Sequence, residues 1–416
     1  MTIFAMESDQ PNKSLFARLI RLAAQGMTHG QILVTLPDGG RMTLGENCRE
    51  TVAELHIHSW RLLPRIVASW DIGFAQSYLA GEWSSPNPTK LLSALCRNKQ
   101  MGNRLQFLRL PPFTARIRHA LNKNYPRNSR RNISAHYDLG NAFYSQWLDE
   151  KMQYSSALYT QDGQSLEEAQ DAKLKRVTDL LDLKGGERVL EVGCGWGSLA
   201  RHLAEQRRCH VTGITLSTEQ LDFARKQVAE SAASDLCDFA LLDYRSSAGV
   251  YDRIVSIEMI EAVGEEYWPL YFDVLRARLR PGGTAVIQAI TIDERRFRTY
   301  RGRPDFIQRF IFPGGMLPTV GAITQLAARS GLTIRHTDFF GASYAQTLSE
   351  WSQRFHQAWP SIRSMGFDDR FRRMWDYYLS YCQAGFENGI LNVGLYQMSA
   401  LSQIQLAGTR SNAPAS

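Results

Sequence analysis

The stretch VLEVGCGWGS at residues 189–198 decides the fold of this chain of 416 residues. An apolar run ends in three glycines at alternate positions, Gly193, Gly195 and Gly197, and a helical pattern follows. Because glycine has no Cβ, the backbone can turn tightly there and approach a ligand closely. The pattern predicts a buried strand, a ligand-binding turn and a helix.

The spacing of these glycines separates two classes of ligand. A dinucleotide fingerprint has the spacing G-x-G-x-x-G and places a pyrophosphate at the start of the helix. Here the spacing is G-x-G-x-G, and Glu191 precedes the first glycine. A carboxylate at this place repels a pyrophosphate, but it accepts hydrogen bonds from the ammonium group of an amino acid. The motif therefore predicts S-adenosylmethionine as the cofactor, held by Glu191, Gly193, Gly195 and Gly197.

Further strands flank this motif. Short apolar runs occupy residues 187–193, 209–215, 237–243, 251–257 and 283–290, and helical stretches separate most of them. This alternation is typical of an α/β fold with an open, mainly parallel sheet. Such a sheet is doubly wound, and its ligand crevice lies at the carboxyl ends of the strands.

Two of these strand ends carry polar residues that suit a nucleoside. The second strand ends near Thr215, and Gln220 follows one helical turn later. We expect this segment to contact the ribose or the methionine end of the cofactor. The third strand ends at Asp243, where we expect the adenine amino group. Structural roles compete with both expectations, because Ser217 also suits a helix cap and Asp243 also suits a cap or a turn.

Charge is distributed unevenly along the chain. Residues 1–135 contain 18 Lys or Arg against 8 Asp or Glu, and residues 97–131 contain ten basic residues and no acidic one. Apolar side chains such as Phe107 and Phe113 interrupt the basic segment, a pattern that suits a phospholipid surface. A solvated basic face and a nucleic-acid surface are the alternatives. Because the base-flipping motif Asn/Asp-Pro-Pro-Tyr/Phe is absent, we expect a membrane partner and no nucleic acid.

The change in pattern along the chain predicts two domains. We assign residues 1–121 to a small basic α+β domain that binds lipid or membrane, 122–132 to a linker, 133–402 to the cofactor domain and 403–416 to a flexible tail. The six cysteines form no CxxC pair, and the first residues show no leader pattern. No apolar run is long enough to cross a bilayer. We expect a cytoplasmic protein without a metal, bound peripherally at the inner membrane face.

Several stretches beyond the glycine motif point to one family. They are HYDLGN at 136–141, MQYS at 152–155, TGITLS at 212–217, EMIE at 258–261, FIFPGG at 310–315 and YCQAGF at 381–386. With them, the chain resembles the cyclopropane-fatty-acyl-phospholipid synthase family from about residue 133 to about residue 398. The basic N-terminal part resembles the extra domain of the longer bacterial members.

The resemblance implies a fold and an activity. The fold is a seven-stranded, Rossmann-like methyltransferase sheet with a helical lid over the lipid, and related enzymes imply a homodimer. The activity is methyl transfer from S-adenosylmethionine to a cis double bond of a phospholipid acyl chain, which forms a cyclopropane. The resemblance places these residues around the cofactor: Tyr154 and Ser155 at its carboxylate end, with Gly193, Gly195, Thr215, Leu216 and Gln220.

The resemblance also implies a bound bicarbonate that acts as the base. Family members hold this ion with a Cys, a Glu, a His, a backbone group and a Tyr, and Glu261, Ile290 and Tyr344 match three of these. Ser156 stands where the Cys is expected, and Gln288 stands where the His is expected. Both can hydrogen-bond an anion, but Gln288 cannot carry the charge or proton of a His. These departures leave the ring-closing step open.

Cys382 completes the predicted catalytic set of Glu261, Tyr344, Gln288 and Ser156. It matches a cysteine that the family motif marks as an active-site candidate. A small buried residue on the aromatic helix WDYYLSYC is the structural alternative.

A nucleic-acid methyltransferase is permitted by the basic segment, but the missing base-flipping motif counts against it. Three other functions remain in competition. The first is an enzyme that methylates the acyl chain and closes a cyclopropane. The second is a methyltransferase that stops at a methyl-branched or methylene product. The third is a lipid-binding protein that kept the fold and lost the chemistry. Ser156 and Gln288 motivate the second and the third.

Overall fold

The computed structural model describes residues 15–25, 27–45, 52–98 and 139–400. The chain forms two compact units. The first consists of Met1–Phe113 and Phe367–Asn388, and the second of Thr114–Gly366 and Gly389–Ser416. Most of the basic segment 97–131, the predicted linker and the tail lie outside the described residues.

The first unit is built on a small sheet with the strand order β2-β1-β3-β4. Strands β1 and β2 pair antiparallel around the Pro-Asp-Gly-Gly turn, and β1 pairs parallel with β3. The elements are α1 (Leu15–Ala24), β1 (Gln31–Thr35), β2 (Arg41–Leu44), β3 (Val52–Ile57), α2 (Leu62–Leu79), β4 (Trp83–Ser84) and α3 (Pro88–Arg97).

A helix from the far end of the chain packs into this first unit. The Tyr78 hydroxyl on α2 donates a short hydrogen bond to Asp376, and Ser93 on α3 donates to Glu387 over 2.7 Å. The Tyr78 and Tyr377 rings lie 5.6 Å apart. The predicted cofactor domain, residues 133–402, thus contains a helix that belongs to the first unit. Buried aromatic residues of this helix, such as Tyr377, pack against that unit.

The second unit contains a seven-stranded sheet with the order β10-β11-β9-β8-β5-β6-β7. Strands β5 to β9 pair parallel with one another, whereas β11 pairs antiparallel with both β9 and β10 and forms an antiparallel edge with β10. The predicted seven-stranded α/β fold is therefore confirmed. Its strands are β5 (Arg188–Val192), β6 (His210–Thr215), β7 (Cys237–Leu241), β8 (Tyr251–Ile257), β9 (Leu279–Ile292), β10 (Leu332–Phe339) and β11 (Leu391–Ala400).

Helices connect these strands and cover the sheet. In chain order they are α4 (Asn141–Tyr144), α5 (Leu166–Leu181), α6 (Ser198–Arg207), α7 (Thr218–Ala229), α8 (Ile260–Val263), α9 (Trp268–Arg278), α10 (Glu294–Gly302), α11 (Phe306–Phe310), α12 (Val320–Arg329) and α13 (Gly341–Ser364); the helix that joins the first unit is α14 (Asp369–Glu387). A capping box of Ser165 and Glu168 starts α5. In the described part of the chain, no helix is both long and apolar enough to cross a membrane.

The core of the second unit brings the strands close to the glycine turn. Val189, Leu190 and Val192 on β5 are almost completely buried, as expected of a parallel strand covered on both faces. At Gly213 on β6, an added Cβ would lie 2.7 Å from the Phe239 ring and 3.0 Å from the Cys194 Cβ. The sheet therefore needs glycine at this position to keep β6, β7 and the glycine turn together.

We predict that Gly213→Ala lowers the free energy of unfolding by about 1–3 kcal/mol, because the Phe239 ring must shift to admit the methyl group. Urea unfolding measures the change. Gly302→Ala is the matched control, because a Cβ at Gly302 meets no atom within 4 Å. Equal stability of the two variants would contradict the packing argument.

Candidate functional site

A cavity lies at the carboxyl ends of β5, β6 and β8. Most of the predicted cofactor residues line it, and so do several residues that the sequence did not indicate. The predicted ones are Tyr154, Ser155, Glu191, Gly193, Gly195, Thr215, Leu216 and Gln220, and the others include Lys173, Leu242, Tyr244, Glu258 and Met259. The cavity is therefore the crevice expected for a doubly wound sheet.

The glycine turn forms one wall of this cavity. Gly193, Gly195 and Gly197 have φ values of 81°, 53° and 84°, which favour glycine. A Cβ added at Gly195 meets no atom within 4 Å, so the backbone faces open space there. At Gly197 it would lie 2.8 Å from the Ala224 Cβ, and Gly197 is not among the lining residues. Gly195 can approach a ligand, whereas Gly197 serves helix packing.

Glu191 is the acidic residue of the motif, and only 2% of it is exposed. It accepts a hydrogen bond from the Ala200 backbone N–H, while its Oε2 has no partner among the described residues. Burial raises the pKa of this carboxyl to about 8. A buried oxygen without a donor fits the ammonium group of an amino-acid ligand.

The end of β6 is ordered by hydrogen bonds. The Thr215 hydroxyl donates to Gln220 Oε1 over 2.8 Å, and Ser217 caps α7 by accepting from the Gln220 backbone N–H. Thr215 and Gln220 face the cavity. The capping alternative for Ser217 is confirmed, and the Gln220 side-chain nitrogen beside it remains available to a nucleoside.

Asp243 has a different environment from the one expected. Its carboxylate accepts hydrogen bonds from the backbone N–H and from the guanidinium Nε of Arg245, at 3.0 and 2.9 Å. It is not among the lining residues, which at this strand end are Leu242 and Tyr244. The structure therefore shows the turn-forming role of Asp243 and does not place it at the cavity wall.

A second group of polar residues surrounds Glu258, just after β8. The Ser156 backbone N–H and the Gln288 side chain donate to Glu258 Oε1 over 2.9 and 2.7 Å. The Tyr344 hydroxyl donates to Glu258 Oε2 over 2.7 Å. Three of the predicted catalytic residues thus converge on a carboxylate that the sequence analysis did not select.

Two properties of Glu258 mark it as more than a structural residue. Its φ of 48° lies in the left-handed region, which costs about 1 kcal/mol or more for a residue other than glycine. Burial also raises the pKa of its carboxyl, and this effect opposes the hydrogen bonds that lower it. A buried acid held in a strained conformation is a candidate for catalysis. The feature of the sequence that could have indicated Glu258 is its position directly after a buried strand.

Glu261 lies beside Glu258 but has different contacts. Its Oε1 accepts from the Ile290 backbone N–H over 2.5 Å, and its Oε2 is buried without a partner among the described residues. Burial, together with the charge of Glu258, raises the pKa of Glu261 to about 8. The two residues predicted to share an anion, Glu261 and Ile290, therefore bind each other.

The other predicted catalytic residues are placed as follows. The Ser156 hydroxyl donates to the Ala157 carbonyl, so Ser156 contacts Glu258 through its backbone alone. Gln288 Oε1 is buried without a donor among the described residues. Cys382 lies half-buried on α14 in the first unit and is not among the residues that line the cavity. Its catalytic role stays a prediction.

Aromatic rings form a cluster beside the cavity. The Tyr154 ring lies 5.4 Å from that of Tyr144 and 5.3 Å from that of Trp351. The Tyr344 ring lies 6.1 Å from that of Trp351. These contacts connect the predicted cofactor residue Tyr154 with Tyr344, which binds Glu258. The aromatic cluster thus extends from the cavity residue Tyr154 to Tyr344, the donor to Glu258.

The arrangement fits S-adenosylmethionine and a buried base. The model of the mycolic acid cyclopropane synthetase family matches residues 124–397. The chain belongs to this family. It is an S-adenosylmethionine-dependent methyltransferase, as the family and the methyltransferase structures that it resembles support.

Relatives within the family carry different names. The chain is 38% identical to tuberculostearic acid methyltransferase UfaA1 of Mycobacterium tuberculosis, over 92% of this chain and 90% of that protein. It is 35% identical to cyclopropane-fatty-acyl-phospholipid synthase of Escherichia coli K12, over 80% and 84%. The family is thus a family of lipid methyltransferases, and its members differ in the named product.

Solved structures agree with the fold. The crystal structure of mycolic acid cyclopropane synthase CmaA1, complexed with SAH and CTAB, has a TM-score of 0.61 and 28% identity. The match covers 65% of this chain and 97% of the CmaA1 chain. Coclaurine N-methyltransferase, with a TM-score of 0.60 and 19% identity, shares the fold alone.

We predict that Glu261→Gln changes how stability depends on pH. In the folded protein the pKa of Glu261 is raised to about 8, so the folded chain binds the carboxyl proton more tightly than the unfolded chain does. The stability that this proton contributes is therefore lost as pH rises from about 5 to about 8. The unfolding free energy of the wild type minus that of the variant should therefore fall over this range, by about 1 kcal/mol or more.

Urea unfolding at several pH values measures this difference. Glu230→Gln, at an exposed site after α7, is the control for an amide substitution. If the wild type and Glu261→Gln respond to pH in parallel, Glu261 is not the buried acid inferred from the structure.

Proposed function

We propose that this chain transfers a methyl group from S-adenosylmethionine to a cis double bond of an unsaturated phospholipid acyl chain, and that the product is a methyl-branched or methylene alkene without a ring. The Glu258 carboxylate carries this proposal. It is bound by Ser156, Gln288 and Tyr344, which are the residues expected to surround a free anion.

Glu258 makes a separate anion unnecessary. The donors available to a bicarbonate already bind a carboxylate that is attached to the chain. A second negative charge beside the Glu258 carboxylate would be repelled in this buried site, as the raised pKa of Glu261 illustrates. We therefore assign the role of the base to Glu258.

The proposed reaction is balanced without a further reagent. When bound, S-adenosylmethionine supplies an electrophilic methyl group. The π electrons of the acyl double bond form the new C–C bond, and the C–S bond electrons remain on sulfur. Glu258 accepts a proton from a carbon beside the resulting cation, and that C–H electron pair forms a new double bond in the chain. For the methylene product, a hydride first shifts from the methylated carbon to the cationic one, and the proton then leaves the new methyl group. Because a higher pKa makes a carboxylate a better proton acceptor, the environment of Glu258 favours this step.

The aromatic cluster suits the cationic acyl chain. Aromatic faces attract a nearby positive charge, and an apolar wall keeps water from capturing it. Trp147 and Trp351 are fully buried, with rings 5.6 Å apart, and Tyr344 extends the cluster to Glu258. Holding the double bond in line with the methyl group supplies several further kcal/mol.

The name of one relative supports the open product. Tuberculostearic acid methyltransferase UfaA1 matches 92% of this chain. Cyclopropane formation is the second candidate, and the E. coli relative, which is named a cyclopropane-fatty-acyl-phospholipid synthase, favours it. Both candidates begin with methyl transfer. When the proton leaves, the open product gains a double bond, whereas the cyclopropane gains the C–C bond that closes the ring.

We predict that the purified protein adds the mass of one CH₂ unit to unsaturated phospholipid in vesicles supplied with S-adenosylmethionine, and that proton NMR of the product shows olefinic or methylene signals. Upfield cyclopropane signals would support the second candidate instead. Failure to label lipid would refute both candidates.

In the same assay, Glu258→Gln should lower the rate by about 10²- to 10⁴-fold, because the amide cannot accept the proton. Glu258→Gly relieves the strained φ and vacates the carboxylate position. Added bicarbonate should restore part of the activity of Glu258→Gly and leave the wild type unchanged. A wild type that requires bicarbonate, with Glu258→Gln still active, would overturn the role given to Glu258.

An anionic membrane surface is the proposed partner, and α10 is the described element that favours it. Arg295 pairs with Asp293, and Arg301 pairs with Glu265. Arg298 and Arg303 are exposed and have no ion-pair partner among the described residues. Exposed guanidinium groups on one short helix and just after it suit lipid phosphates.

We predict that Arg298→Glu with Arg303→Glu weakens binding to phosphatidylglycerol vesicles by about tenfold or more, since each basic residue near such a surface contributes about 1 kcal/mol. Vesicle co-sedimentation measures this. Lys175→Glu with Lys226→Glu, two exposed sites on α5 and α7, changes the net charge equally and is the control. Equal loss in both pairs would show that net charge alone governs binding.

A further inference from the structure

Lys173 on α5 is a buried cation that the sequence analysis did not select. Only 2% of it is exposed, and it lines the cofactor cavity. Its position falls among the buried residues of α5, with Ala169 four residues before it and Val177 four residues after it. A lysine is rarely found on the buried side of a helix unless a partner pairs with its ammonium group.

The contacts of Lys173 leave its charge incompletely satisfied. Its Nζ donates to the Ser155 hydroxyl over 2.8 Å. No carboxylate lies within 4.0 Å of Nζ among the described residues, although Asp149 and Glu191 act on it from farther away. An ammonium group has three donors, so two of them lack an acceptor from the described chain.

Glu191 is the complementary case on the same cavity. Its Oε2 is buried and has no donor among the described residues. The cavity thus contains one cation that needs an acceptor and one carboxylate oxygen that needs a donor. An α-amino acid end group carries both missing partners, a carboxylate and an ammonium.

We propose that Lys173 and Ser155 together bind the carboxylate of the methionine end of S-adenosylmethionine, while Glu191 binds its ammonium group. Lys173 is then a specificity residue that makes the cavity select a cofactor with an intact carboxylate. The inference concerns cofactor binding and does not depend on which lipid product forms.

The test compares two ligands that differ only in the carboxylate. They are S-adenosylhomocysteine and 5′-(3-aminopropylthio)-5′-deoxyadenosine, which keeps the amine and lacks the carboxylate. Calorimetry gives the dissociation constant of each with the full-length protein. We expect Lys173→Met to weaken S-adenosylhomocysteine binding by about 10- to 100-fold and the analogue by less than threefold, because loss of a charged hydrogen bond removes about 1.5–3 kcal/mol.

Two further variants keep the test falsifiable. Lys173→Arg retains the charge and should recover part of the preference for S-adenosylhomocysteine. Lys175→Met, at an exposed site on the same helix, should leave both constants unchanged. If Lys173→Met weakens both ligands equally, or neither, Lys173 does not read the carboxylate. If Lys173→Met fails to fold, the wild type and Lys173→Arg decide: a wild type that binds both ligands equally well refutes the assignment, and a preference for S-adenosylhomocysteine that Lys173→Arg reduces supports it.

Discussion

The hydrogen bonds to Glu258 are the constraint on which the site depends. They come from three separate parts of the second unit: the loop before α5, strand β9 and helix α13. A buried carboxylate is unfavourable unless donors surround it, so its presence fixes the positions of all three segments. The same environment raises its pKa and prepares it to accept a proton. Stability and chemistry are thus coupled at one side chain.

The cofactor cavity also contains buried charged groups, and here they have both signs. Lys173 and Glu191 lie on it with unfilled hydrogen-bonding capacity, and each influences the pKa of the other. Such groups are unfavourable in the empty protein and become favourable when a zwitterion fills the space. Folding has already removed Lys173 and Glu191 from water at a cost in free energy. Cofactor binding offsets part of that cost.

Sequence reasoning succeeded where a local rule applies. The three glycines after an apolar strand required a tight turn, and all have positive φ. A helix cap was the alternative role weighed for Ser217, and Ser217 caps α7. Sequence reasoning does not reach contacts between residues that lie far apart in the chain. Glu261 was selected over Glu258, because only the folded chain shows which of the two carboxylates receives Gln288 and Tyr344.

By itself, the sequence determined the α/β class, the glycine turn and the cofactor, because each follows from short-range periodicity and spacing; the family followed from the resemblance of several short motifs. The tertiary structure alone decided that α14 packs with the first unit, that Lys173 faces the cavity and that Ser156, Gln288 and Tyr344 meet on Glu258. These juxtapositions join residues separated by 30 to 298 positions. Burial and hydrogen bonding between such distant segments depend on how the whole sheet and its helices pack, and no local pattern encodes them.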